Sequence, residues 1–221
     1  MFCYCNEPKL KLTRNIYKEQ LKGVKNMVEK KYELIISDSK EWCGRTLYRI
    51  RALKDFSIFL KGDLGGYIES EKNLSQNGNA WVSDNARVYG NALVSGNAWI
   101  SGNARVSGKA LVSGNAWISG NARVYNDALV SGDALVSGNA WVSGDALVSG
   151  DARVSSNAWI SGNAQVSGNA RVSGDTLVHD DALISGNAWI SGNTRVSGNA
   201  RVSGNARVSG NTRVSSNRET I

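Results

Sequence analysis

Proline occurs once, at Pro8, and histidine once, at His179. There are three phenylalanines and two methionines in 221 residues. The three cysteines, Cys3, Cys5 and Cys43, all lie before residue 44. An odd cysteine set gathered at one end is not a disulfide framework; it fits a reducing compartment. No apolar run approaches the roughly 20 residues that span a bilayer, and Met1–Asn15 lacks the apolar core of a secretory signal. These absences give the expectation of a cytoplasmic protein without a membrane span. Charge of one sign does not dominate either. The net +7 is concentrated in residues 1–79, which hold 15 basic against 10 acidic side chains, while residues 80–217 hold 10 against 8. A basic balance is a weak pointer to an anionic partner.

What the chain has is glycine without proline, 24 residues of it, at fixed spacing. From Ala80 to Asn217 the sequence divides into 23 hexads with no insertion, each a variant of Ala-x-Val-Ser-Gly-Asn. Short fixed periods mean a solenoid, and hexads a parallel β-helix. Ala, x, Val and Ser make a short strand with side chains on alternate sides. Gly-Asn turns the chain, since both residues tolerate positive φ. The Ala and Val/Ile positions are small or β-branched throughout, whereas x is Trp, Arg, Leu or Gln. A narrow interior has no room for nine arginines, so Ala and Val face in, and x and Ser face out.

The x column carries a slower rhythm. Trp81, Arg87 and Leu93 are followed by Trp99, Arg105 and Leu111, then by Trp117, Arg123 and Leu129. Three hexads per lap of a triangular prism place residues eighteen apart directly above one another, about 4.8 Å apart. A two-sided lap of twelve would scatter these sets. The first face then continues Leu135, Arg153, Arg171, Trp189 and Arg207; the second Trp141, Trp159, Leu177, Arg195 and Arg213; the third Leu147, Gln165, Leu183 and Arg201. Recent duplication of repeats and selection for a surface both generate this rhythm.

The repeat Val-Ser-Gly-Asn-Ala-Arg and its variants resemble the hexapeptide repeat of left-handed parallel β-helix proteins, the superfamily of the bacterial hexapeptide acyltransferases. The stretches Gly44–Leu53, Lys61–Glu69 and Asn73–Ser75 resemble the leader of hexapeptide-repeat proteins of bacteria and their phages, which are labelled polymer-forming or hypothetical. The resemblance covers residues 80–217 and implies an all-β, left-handed triangular solenoid. The left hand comes from the resemblance alone.

Ahead of the repeat, Thr46–Leu53 alternates and reads as a strand, with Tyr32–Ile36 as a second. Asp63-Leu-Gly-Gly reads as a turn. Ile68 and Leu74 fall six apart, in phase with the Ala positions, so a degenerate first lap begins there. Solenoids need end caps, and residues 27–79 are the candidate, β-rich and small. Residues 14–30 have the pattern of a helix, but Lys22-Gly-Val is encodable as a ribosome-binding sequence just before Met27. Residues 1–26 are therefore expected to be a non-native extension. At the other end Arg218 falls where an inward Ala belongs. An unpaired arginine is not buried, so the solenoid stops there and 218–221 is a tail.

For function, the resemblance implies acyl transfer from coenzyme A with a histidine base. His179, in Thr176-Leu-Val-His-Asp-Asp, is the single candidate; it replaces an outward Ser and reads equally as a drifted surface position. No hexad is interrupted by a substrate-covering loop. One histidine and no repeat-region cysteine exclude a three-histidine zinc site. The aspartates at 127, 133, 145, 151, 175 and 181 lack the Gly-Gly-x-Gly-x-Asp pattern of calcium solenoids. Hence no enzyme activity, metal or cofactor is expected. The remaining feature is the surface: the outward residues Trp81, Trp99, Trp117, Trp141, Trp159 and Trp189, with Leu93, Leu111, Leu129 and Leu147, form apolar strips of the kind that mark interfaces. Arg87, Arg105 and Arg123 line one face, and Arg195, Arg201, Arg207 and Arg213 make a basic end. The expectation is a structural or binding solenoid that self-associates or holds a partner, an anionic one included. Two alternatives stand beside it: an acyltransferase using His179, and a surface for nucleic acid or polysaccharide.

Overall fold

The computed structural model describes residues 29–215. The expected extension 1–26, Met27, Cys3, Cys5 and the tail from Arg218 lie outside them, as does the helix expected over 14–30 apart from Glu29 and Lys30, which are not helical.

From Trp81–Val82 to Arg213–Ser215 the chain forms 23 strands of two or three residues, each holding an x residue and its Val or Ile. They stack in parallel, always with the strand eighteen residues on: Trp81↔Trp99, Arg87↔Arg105, Leu93↔Leu111. Three sheets result, the three sides of one solenoid with the face assignments read from the sequence. The ladder repeats one hydrogen-bond set. Trp99 N–H donates to Ala116 C=O at 2.9 Å, Ser101 N–H to Ile118 C=O at 2.9 Å, and Asn97 N–H to Gly114 C=O at 2.8 Å. The N–H groups of the x and Ser residues are thus met by the next lap, while that of Ala turns back to the Ser of its own turn, as Ala98 does to Ser95 C=O at 3.3 Å. Two-residue strands need this because they have little else to hold them.

The interior is the expected one. Ala and Val/Ile are fully buried from Ala80 to Val202, and Ala206 and Val208 nearly so. Where Thr replaces the inward Ala, its hydroxyl is satisfied locally: Thr176 Oγ1 donates to Ser173 C=O and Thr194 Oγ1 to Ser191 C=O, both at 2.6 Å.

The turns correct one expectation. Positive φ falls on the Gly of the hexad, and on Asp84, Asn126, Ser156 and Asp180 where these replace it. The Asn that follows is not in that region. Its role is a side-chain ladder: Asn103, Asn121 and Asn139 each donate Nδ2 to the Oδ1 one lap on, at 3.1–3.4 Å, and Asn157 closes the run on Asp175 at 2.8 Å.

The N-terminal part contributes strands β1 (Tyr32–Trp42), β2 (Arg45–Ala52) and β3 (Leu64–Ile68) and a short 3-10 turn at Glu71–Asn73. β1 and β2 form an antiparallel hairpin, β2 pairs antiparallel with β3, and β3 joins the second face in parallel with Arg87–Val88. Two expectations change here. Gly65-Gly66 is not a turn but the interior of β3. A Cβ on Gly65 would lie 2.4 Å from the Ile50 side chain, and one on Gly66 2.7 Å from Ala86 C=O. Close approach, not positive φ, requires these glycines. Ile68 and Leu74 do face inward, but opposite Val88 and Val94, twenty residues on. The degenerate lap is therefore two residues longer than the rest, and its inward residues align with the Val column instead of the Ala column.

Lys31 closes this end. Its side chain is buried, and Nζ donates to Ala80 C=O at 2.7 Å and Gly78 C=O at 3.3 Å. Burial, and then the nearby Lys54, lower its pKa to about 8. Beside it Tyr32 donates its hydroxyl to Leu74 C=O at 2.6 Å; burial and Glu71 push that phenol above its ordinary range.

Candidate functional site: the outward faces

The x residues face out with one exception, Trp81. It is 1% exposed and packed under Phe56, Phe59 and Tyr32, with centroid distances of 5.2, 5.4 and 6.3 Å. It belongs to the core, because the segment between β2 and β3 folds over the first rung of the first face. Trp99 is half-buried at the edge of this cluster, 5.8 Å from Phe59, and stacks on Trp117 at 5.2 Å with 6° between the planes. The tryptophan ladder thus begins at the second rung. Its polar edge is also served: Trp99 Nε1 donates to Ser83 Oγ at 2.8 Å and Trp117 Nε1 to Ser101 Oγ at 3.0 Å, each one lap back. Trp159 repeats the bond with Ser143 at 3.3 Å. The recurrent Ser therefore has a purpose beside Trp, which buries Ser83, Ser101 and Ser143. Trp117, Trp159 and Trp189 keep 43–44% of their surface exposed, and Leu111 45%. Trp141, Leu93, Leu129 and Leu147 are half-buried by their neighbours on the ladder.

The third face is the plainest. Its outward column runs Leu93, Leu111, Leu129, Leu147, Gln165, Leu183, Arg201, with Ser throughout the companion column. The second face is different. All three departures from that Ser, among the 23 hexads, lie on it: Tyr89, Tyr125 and His179. They sit 36 and 54 residues apart, both multiples of eighteen. That spacing was the available signal for a special face.

At the N-terminal end of this face Arg87, Arg105 and Arg123 stand on successive rungs. Among the described residues no carboxylate pairs with any of them. They are held by indoles: Trp42, at the end of β1, lies 4.1 Å from the Arg87 guanidinium and 4.4 Å from that of Arg105, and Trp141 lies 4.7 Å from Arg123. Burial first, then Arg123 and Arg87, depress the pKa of Arg105; Tyr89 and Cys43 act the other way. Arg87 Nε and Trp42 Nε1 are buried without a hydrogen-bond partner. Beside the stack opens a cleft of about 270 Å³, walled by Tyr89, Tyr125, Arg105, Arg123 and Trp141 and floored by Ser107 and Gly108. A larger groove of about 500 Å³ runs by Arg153 and Arg171, but Asp133 and Asp151 share its lining, so its charges offset one another.

Further along the second face, His179 is engaged at both nitrogens. Arg195 Nε donates to His179 Nε2 at 2.9 Å, and His179 Nδ1 lies 2.9 Å from Asp180 Oδ2. Asp180, on a positive-φ turn, also accepts from Gly198 N–H at 3.1 Å. Its carboxyl is held below the ordinary carboxylate range, mainly by the His179 hydrogen bond and then by Gly198. The lone pair with which His179 would take a proton is thus occupied by a guanidinium. Arg195, Arg201, Arg207 and Arg213 are all exposed, and lie on three different faces. Among the described residues no group of three or more His, Cys, Asp or Glu is placed to hold a metal ion, and no helix is long and apolar enough to cross a membrane.

Comparison with known families bears on the repeat. A family model described as the YdcK beta solenoid repeat matches residues 80–96, 86–102, 98–114, 116–132, 128–144, 164–180, 195–206 and 200–216. Among curated proteins, none matches the sequence. Each full-length match, such as 80–96, spans 17 residues, close to one lap, and lies within the stacked strands. On this match and on its lap geometry the chain is a β-solenoid repeat protein.

Proposed function

We propose that this solenoid is a non-catalytic structural and binding element, and that its outward columns hold a partner, in the first place another copy of the chain. The observation that carries this is the state of Trp117, Trp159 and Trp189. The Nε1 atoms of Trp117 and Trp159 are satisfied within the chain, yet all three rings remain more than 40% open. Exposed aromatic surface of this kind, on a rigid scaffold, is what buried interface anchors are made from. The label polymer-forming, carried by some of the hexapeptide-repeat proteins whose leader this chain resembles, fits the same reading.

An acyltransferase using His179 is the weaker reading. It needs a free Nε2, and Arg195 occupies that atom.

Light scattering across a concentration series tests the proposal. The wild type is expected to associate, and Trp117→Gln with Trp189→Gln, both on the first face, to shift it toward monomer. A wild type that stays monomeric at all concentrations overturns self-association. For the weaker reading, acetyl-CoA turnover that is measurable in the wild type and lost in His179→Ser would reinstate catalysis.

A further inference from the structure

The second face carries a more specific site than the apolar strips. The geometry points to the cleft between Tyr89 and Tyr125 as a binding site for a nucleotide, with its ring entering at the rung of Ser107 and its phosphate on Arg105 and Arg123. This deepens the partner-holding reading above and rests on it.

The argument begins with rungs. Aromatic side chains one lap apart on this scaffold pack ring against ring, stacked in Trp99 and Trp117 at 5.2 Å with 6° between the planes and edge-to-face in Trp141 and Trp159 at 5.6 Å with 63°. Tyr89 and Tyr125 are in one column but two laps apart, because the lap between them carries Ser107. Two laps span about 9.6 Å at 4.8 Å each. This is therefore an aromatic column with its middle member missing, Tyr125 standing edge-on to Trp141 at 6.2 Å, and the missing volume is the observed cleft of about 270 Å³. That lies just under the usual range of roughly 300–1,000 Å³ for small-molecule pockets, which suits one ring with an anionic group.

The second link is charge. Three guanidiniums on successive rungs repel one another, and no carboxylate among the described residues relieves them. Elsewhere the fold does supply counter-charges: Lys109 meets Asp127 at 3.3 Å, Arg45 meets Glu69 at 2.7 Å and Arg49 meets Asp38 at 2.9 Å. The indoles of Trp42 and Trp141 fix the guanidiniums by their π faces and leave N–H donors for an oxygen ligand. Phosphate, like carboxylate, fits an arginine fork, and an anion that also carries a planar aromatic base, which stacks on phenols, is a nucleotide. Anions lacking an aromatic ring fill only half of the site.

The full chain is titrated at low salt with AMP, with a labelled 12-nucleotide single strand, and with two anions that lack an aromatic ring, inorganic phosphate and an oligouronate. The nucleotide probes are expected to bind and the non-aromatic ones to bind much more weakly. Tyr89→Ser and Tyr125→Ser install the residue that the column carries elsewhere, and each should weaken binding about 5- to 150-fold, the range of base–aromatic stacking. Ser107→Tyr should close the notch and abolish binding; a retained cooperative melt shows that the variant is folded. With the strand, Arg105→Leu should reduce the slope of log K against log salt by about 0.7, one phosphate contact. The source of the ligand is read from the probes: AMP binding as tightly as the strand means a free nucleotide, and affinity that grows with length means single-stranded nucleic acid. Equal binding of the oligouronate, or wild-type affinity in Ser107→Tyr, or no nucleotide binding at low salt, overturns the site. The outcome separates from the assembly test. A monomer that binds nucleotide sinks self-association alone, and an oligomer that binds none sinks this site alone.

Discussion

The second and third faces share one interior. Behind both lie buried columns of Ala and Val/Ile, with Thr176 and Thr194 taking the place of Ala late in the second face, and the same lap-to-lap hydrogen bonds. Their exteriors have little in common. The third face offers leucine over serine on five of its seven rungs. The second offers three unpaired arginines, two tryptophans, and the three positions where serine gives way to Tyr89, Tyr125 and His179. The difference shows that two columns of the hexad, x and the Ser position, set the surface, while the Ala, Val and Gly columns set the fold. Because inward and outward residues alternate along each strand, a change in one set leaves the other nearly untouched. Such a scaffold can carry a special site on one side at little cost to its stability.

That separation can be broken in steps. The largest effect is expected inside. Ile118→Ala should cost roughly 2–5 kcal/mol, the usual range for emptying a buried aliphatic site. Leu111→Ala, outward on the third face and 45% exposed, should cost less than about 1 kcal/mol. Urea denaturation of the two variants measures both, and similar costs would mean that inside and outside are not distinct.

A smaller effect is expected at the N-terminal end, where Lys31 lies buried. Its folded pKa of about 8 is below the value of about 10.4 for a free lysine. Between those values the unfolded chain binds the proton and the folded chain does not, so stability should rise with pH through that window. Above about pH 10 the raised Tyr32 phenol works against it, because the unfolded chain then loses a proton that the folded one keeps. Melting temperature should therefore climb from pH 8 toward 10 and then flatten or fall. Lys31→Met, which carries no proton, should remove the climb.

The smallest effect belongs to the turn ladder. Asn115 Nδ2 donates to Asp133 Oδ1 at 2.7 Å, but Asp133 has no donor for Asp151, the next residue of that column. Asp133→Asn restores the donor and removes one of two like charges in register. A gain of about 0.5 kcal/mol is expected, the low end for an added hydrogen bond, as the site is exposed. Thermal melts at fixed pH measure it, and destabilisation would mean the ladder is incidental.

Much of this architecture is legible in the sequence, because its information is local. The hexad gives the strand, the alternation gives inside and outside, and the eighteen-residue rhythm of Trp81, Arg87 and Leu93 gives three sides. What depends on residues far apart in sequence is harder to read. Trp81 looks like any other x residue until Phe56 and Phe59 fold over it. Gly65-Gly66 has a turn's composition, yet it serves close contact with Ile50 and Val82. Asn at the turn suggests backbone conformation, whereas its amide is used sideways. The arginine stack was visible as a column, but its indole partner Trp42 comes from a hairpin that periodicity does not describe. Tyr89 and Tyr125 are readable, 36 residues apart at a position that is Ser in every other hexad but that of His179, and stand out only once the laps are stacked.

One substitution made on two faces tests the account most directly. Ser107→Tyr adds a ring to the second face in the gap between Tyr89 and Tyr125; Ser113→Tyr adds the same ring one hexad later, on the third face. In nucleotide titrations Ser107→Tyr should lose binding while Ser113→Tyr retains wild-type affinity, with both variants melting as the wild type does. If both lose binding, or neither does, the faces are not functionally distinct and the account is contradicted.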